Sequence, residues 1–114
     1  MKILIGGESF DFDHERRPMS EAVAIERAWG RRYAEWLAEL TAGSAEAVAV
    51  LAWVVLRREG REVGLQEILD GAFDFDFFEL QRSLEAGYAE LVAAAENPTS
   101  GAAPLTDQAG TATT

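Results

Sequence analysis

Apolar positions in this chain are spaced so that most of its elements can be read directly. The longest apolar stretch is Ala47 to Leu56, ten residues in a row. Ser44 stands in front of it as an N-cap, Arg57 and Arg58 follow it, and Gly60 closes it. Serine caps free N–H groups, cations suit the last turn of a helix, and glycine ends one. A helix that is apolar all round must be buried on nearly every side. The segment from Ser44 to about Glu59 is therefore expected to be the central post of a small domain. No group on its apolar stretch can act as acid, base or nucleophile, which points to a scaffold or binding protein.

Shorter patterns flank the post. Lys2-Ile3-Leu4-Ile5 and the alternating Glu8-Ser9-Phe10-Asp11-Phe12 read as two strands joined at Gly6-Gly7, which can take the positive φ angles of a tight turn. Ser20 reads as the N-cap of a helix reaching Trp29, with Glu21 in its first turn and Gly30 as its stop. A second helix is expected from about Arg32 to Thr41. Ile25, Ala28, Trp29, Tyr33, Trp36, Leu37 and Leu40 keep one helical phase across Gly30, so a single long helix is the alternative. Glycine inside a helix costs about 1 kcal/mol relative to alanine, which favours a break.

Leu65, Ile68 and Leu69 predict a short helix within Val63–Asp70. The alternation Phe73-Asp74-Phe75-Asp76-Phe77 fits a strand or an extended linker. Asp76 and Glu79 have the spacing of a capping box, and Phe77, Leu80, Leu84, Tyr88 and Leu91 form one stripe of a helix ending near Glu96. Asn97-Pro98 should end it. From Thr99 onward the chain has almost no large apolar side chain and reads as a disordered tail. The expected architecture is mainly α: a helical domain over residues 1–96 with a short N-terminal β-hairpin, then a disordered tail over 97–114.

Composition narrows the classes of function. The 114 residues contain no cysteine, which removes disulfides and thiolate metal sites. The apolar N-terminal run is too short for a signal peptide, and ten apolar residues cannot span a bilayer, which needs about 20. No membrane partner is expected. The net charge is −10, and ten acids from Glu62 onward face a single base, Arg82. That is the wrong sign for nucleic acid, which is not an expected partner. An acidic surface favours solubility and also suits a basic or amphipathic protein partner.

The sequence offers no catalytic, cofactor or metal candidate. His14 is the only histidine and lies in a charged loop. A calcium loop starting at Asp11 or Asp74 would need glycine at its sixth position, where Arg16 and Glu79 stand. Gly6-Gly7 lacks the downstream Gly-Lys-Ser/Thr of a phosphate loop. The aromatic residues are more informative. Phe73, Phe75, Phe77 and Phe78 interleave with Asp74, Asp76 and Glu79. Some of them are expected to fill the core, which is one reading of the cluster; the other is that any left outside form an apolar patch rimmed by acids, a common form of interface.

Four pieces in order carry a family resemblance. They are the strand pair ending in Phe12; Ser20 to Gly30 followed by Trp36; Gly43 to Trp53 continuing through Arg57-Arg58-Glu59-Gly60; and the acidic, Phe-rich stretch from Asp70 to Glu79. Over about residues 2–80 the chain resembles the tail assembly chaperones of long-tailed phages that infect actinobacteria. The resemblance implies a non-enzymatic protein of the host cytoplasm, absent from the mature virion. Its partner would be the tape-measure protein, kept soluble until tail-tube subunits polymerise around it; the tail-tube protein and a second copy of the chain are further partners. The family often makes a longer product by ribosomal frameshift, and residues 97–114 fall where such a pair would diverge. The protein-binding residues would be Phe73, Phe75 and Phe78, with Trp29 and Trp36. The chain departs from the family in having Arg31 and Arg32 where a Ser or Thr often caps the second helix. A virion structural or connector protein, and a small acidic regulator of a basic protein, are the competing readings.

Overall fold

The computed structural model describes residues 1–96, so the expected tail over 97–114 lies outside the described residues. The described chain is mainly helical. A hairpin of β1 (Lys2–Ile5) and β2 (Glu8–Asp11) is followed by α1 (Met19–Trp29), α2 (Tyr33–Ala42), α3 (Ala45–Arg58), α4 (Leu65–Leu69) and α5 (Phe77–Glu96). It divides into two compact units after Leu84.

The first unit, Met1–Leu84, holds the core. Nine residues of α3 are buried: Ala47, Val48 and Val50 through Leu56. Ser44 caps this helix by accepting the Ala47 N–H at 3.4 Å, as its position predicts. The hairpin pairs Ile3 with Phe10 and Ile5 with Glu8, turning through Gly6 and Gly7 at φ 59° and 80°. Those angles are the reason for two glycines, since L side chains rarely adopt them. Ile3, Ile5, Phe10 and Phe12 share the buried face with Ile25, Leu40, Leu65, Ile68, Leu80 and Leu84. Of the second unit, Glu85–Glu96 continues α5 and exposes Tyr88 and Val92.

The helix break at Gly30 is present, with Gly30 in the left-handed region. The start of α2 resolves the question raised by Arg31-Arg32. Two glutamates supply what the missing Ser or Thr would: Glu26 accepts the Tyr33 N–H at 2.9 Å, and Glu35 accepts the Arg32 N–H at 3.0 Å.

Two local expectations need correction, and the choice left open at Phe73–Asp76 falls to the linker. Ser20 is not an N-cap. α1 starts at Met19 behind Pro18, with no side-chain cap, and the Pro18 carbonyl accepts from both Glu21 and Ala22. Phe73–Asp76 is a linker without strand pairing. The capping box at α5 is half made. Asp76 accepts the Phe78 N–H at 2.9 Å, but Glu79 turns away and accepts the Gly7 N–H of the hairpin at 3.0 Å.

Candidate interaction surface

The linker after α4 and the first turn of α5 carry the phenylalanine cluster. The Phe73 N–H bonds the Glu67 carbonyl at 3.1 Å, fixing the linker to the end of α4. Phe75 lies against the hairpin turn, where a Cβ added to Gly6 would stand 3.9 Å from its own. The rings of Phe73 and Phe75 are tilted at 6.2 Å, and those of Phe77 and Phe78 meet edge-on at 5.7 Å. Phe73, Phe75 and Phe77 are half-buried against the core, whereas Phe78 is 63% exposed.

Asp74, Asp76 and Glu79 neighbour Phe78 along the chain. Asp74 and Asp76 spend one oxygen each on the N–H groups of Phe75 and Phe78. Among the described residues neither carboxylate forms an ion pair. The nearest cation to the ring is Arg82, 6.0 Å above the Phe78 centroid. A shallow recess lined by Leu4, Asp76, Glu79, Arg82 and Ser83 adjoins it. Ser83 also accepts the outward Leu4 N–H at 3.0 Å, so the free edge of β1 is partly occupied. The arrangement can hold an apolar side chain at its centre and a cation at its rim.

The two tryptophans expected on this surface lie elsewhere. Trp36 is a core residue, 4% exposed, and its indole N–H donates to the Ala47 carbonyl at 2.9 Å. It shares a helix face with buried Leu40, and no partner can reach it while the domain is folded. Trp29 is half-buried. Its N–H donates to Glu46 at 3.0 Å, and Arg31 covers its ring at 4.4 Å. The candidate surface is therefore Phe73, Phe75 and Phe78 with Asp74, Asp76 and Glu79.

A second polar cluster went unread in the sequence. Arg58 bonds Glu21 through both oxygens at 2.7 and 2.8 Å, donates to the Asp13 carbonyl at 2.7 Å and to the Arg16 carbonyl, and stacks 4.5 Å over Phe12. Its side chain is 14% exposed and that of Glu21 is 9% exposed. Hydrogen bonding to Glu21 holds the guanidinium above its ordinary pKa. Arg58 thus joins α3, α1, the hairpin and the loop between them. An open recess beside it is lined by Arg16, Pro18, Ser20, Glu21, Arg57 and Arg58.

Among the described residues, no group of three His, Cys, Asp or Glu side chains could hold a metal ion. No single described helix is long and apolar enough to cross a membrane. The chain matches no protein-family model, no curated protein and no solved structure.

Proposed function

We propose that this protein is a tail assembly chaperone that binds a phage tape-measure protein in the host cytoplasm and leaves before the virion is complete. One observation carries the reading: a large aromatic, Phe78, is 63% exposed on the first turn of α5, in a stretch of sequence that also carries Asp74, Asp76 and Glu79. A tape measure presents long apolar helical stripes that associate unless covered. Burying one such aromatic is worth about 1.5–3 kcal/mol. That is weak for a single contact but sufficient when many copies coat one long target. The acids serve a second purpose, since the negative outside keeps a coated target in solution.

The test is co-expression with a tape-measure protein. Wild-type chain should raise the soluble yield and co-purify with it. Phe78→Asp should lose both effects while its circular dichroism spectrum and urea midpoint stay those of wild type. An unchanged yield with Phe78→Asp, or stoichiometric chain in purified virions, refutes the proposal.

A further inference from the structure

The recess beside Arg58 has no part in the reading above. Its volume is about 370 Å3, within the roughly 300–1,000 Å3 of small-molecule sites. Three of its six lining residues are arginines, Arg16, Arg57 and Arg58, against one carboxylate, Glu21. That carboxylate is already matched, because Arg58 holds both its oxygens. Among the described residues neither Arg16 nor Arg57 forms an ion pair. The Arg57 guanidinium lies 5.7 Å over the Trp53 ring, and Arg16 gives Arg58 its carbonyl rather than its side chain. The gathering of these cations is built into the fold. Arg58 donates to the Asp13 and Arg16 carbonyls, which ties the loop down beside the last turn of α3, where Arg57 sits. Like charges held at one place leave an uncompensated positive spot. The chain around it carries a net charge of −10.

We propose that this recess binds the phosphoryl group of a small molecule, with Arg16 and Arg57 as its charge partners and the Ser20 hydroxyl as a further donor. Ser20 lines the same recess and is exposed. A phosphoryl ester carries about −1.5 to −2 charge near neutrality and three acceptor oxygens. It can therefore serve two separate guanidiniums and a hydroxyl at once. A carboxylate brings one charge and two oxygens and leaves one of the three donors unmatched. A nucleic-acid strand fits no better, since its remaining phosphates would face the chain's net negative charge. Arg58 is a positioning residue here: Glu21 and the loop carbonyls engage its guanidinium, and it holds Arg16 in place. Because the same contacts join α3, α1 and the loop, a ligand that fills the recess should also stabilise the fold. The inference rests on this recess alone and not on the tape-measure reading.

The test titrates the purified full chain with inorganic phosphate, pyrophosphate and acetate at constant ionic strength, followed by NMR of the arginine Nε–H groups. The Arg16 and Arg57 signals should move together and saturate, with a Kd of about 0.1–10 mM for either phosphate probe. Those of Arg27 and Arg82, outside the recess, should stay put. Acetate should bind at least tenfold more weakly. Arg16→Gln with Arg57→Gln should weaken phosphate binding tenfold or more while the circular dichroism spectrum without phosphate stays that of wild type. Arg16→Gln alone spares the Trp53 contact and should weaken binding about threefold. Phosphate should raise the urea midpoint of wild type more than that of the double variant, which removes its general salting effect from the comparison. Four results would each overturn the proposal: no saturation below about 50 mM, equal shifts at Arg27, acetate binding as tight as phosphate, or unchanged binding in the folded double variant.

Discussion

Replacing Arg58 with alanine is the sharpest test of how this fold is held. Its guanidinium makes two bonds to Glu21, accompanies them with two bonds to loop carbonyls, and lies on the Phe12 ring. Removing it strands the Glu21 carboxylate, on a residue 7% exposed, without its charge partner. Leaving one member of a buried pair uncompensated costs about 3–5 kcal/mol. The stacking on Phe12 adds about 0.5–2 kcal/mol, and partial exposure of the pair keeps the total near the lower end. Glu21→Ala should cost less, because Arg58 retains two carbonyls and a route to water. Arg58→Met combined with Glu21→Leu should cost less than the two single changes added together, since no charge is left stranded. Urea unfolding followed by circular dichroism gives these differences directly, provided the slope with denaturant is unchanged. Freed from Arg58, the loop from Asp13 to Pro18 should also be cut faster by trypsin after Arg16. An Arg58→Ala loss below about 1 kcal/mol, equal to that of an exposed pair, would refute the assignment of Arg58 as the joint of the domain.

Other substitutions separate core from surface. Trp36→Ala should cost about 3–5 kcal/mol as a buried aromatic, and Trp36→Phe should lose about 1 kcal/mol for the indole bond to the Ala47 carbonyl; a negligible change in Trp36→Ala would return this residue to the surface. Phe78→Ser should alter stability by no more than about 0.5 kcal/mol, measured by the same unfolding assay. Acid dependence should trace in part to Arg31. Its hydrogen bond holds the Glu39 carboxyl below the usual range, and the Arg32 N–H, followed by Arg31, does the same for Glu35. A depressed folded-state pKa stabilises above the unfolded value and loses that contribution as the pH falls through the folded one. Wild type should therefore exceed Glu39→Gln in urea midpoint near neutrality, with the gap closing below about pH 4; a constant gap would remove Glu39 from the acid response.

Elements that depend on neighbours in sequence were legible, and those that depend on distant chain were not. The run Ala47–Leu56 could only be a core helix, and Ser44, two arginines and a glycine marked its ends. Gly6-Gly7 between an apolar run and an alternating one marks a tight turn. The same local logic misassigned Glu79. Its spacing from Asp76 predicts a capping box, yet it bonds a hairpin amide far away in sequence. Arg58 has the sequence context of a cation at a helix end, and its link to Glu21 is likewise a matter of tertiary placement. Ser20 fits a cap by residue type, but the Pro18 carbonyl takes that place without a side-chain bond. The resemblance puts Trp36 on a binding surface, whereas its spacing to Leu40 puts it on the buried stripe, where the structure has it.

The exposure of Phe78 follows from helical geometry rather than from a failure of packing. Consecutive residues of an α-helix point about 100° apart. Phe77 leans on the core, and Leu80 and Leu84 on the same stripe are buried. With the helix in that register, residue 78 faces outward whatever its type. The register is pinned from several sides: Asp76 caps the first turn, Glu79 holds the Gly7 amide, and Ser83 holds that of Leu4. A polar side chain at this position would serve folding equally well and would remove an aggregation liability. Held outward by those three anchors, Phe78 keeps an edge contact with the Phe77 ring and lies under Arg82, while most of its surface stays in water.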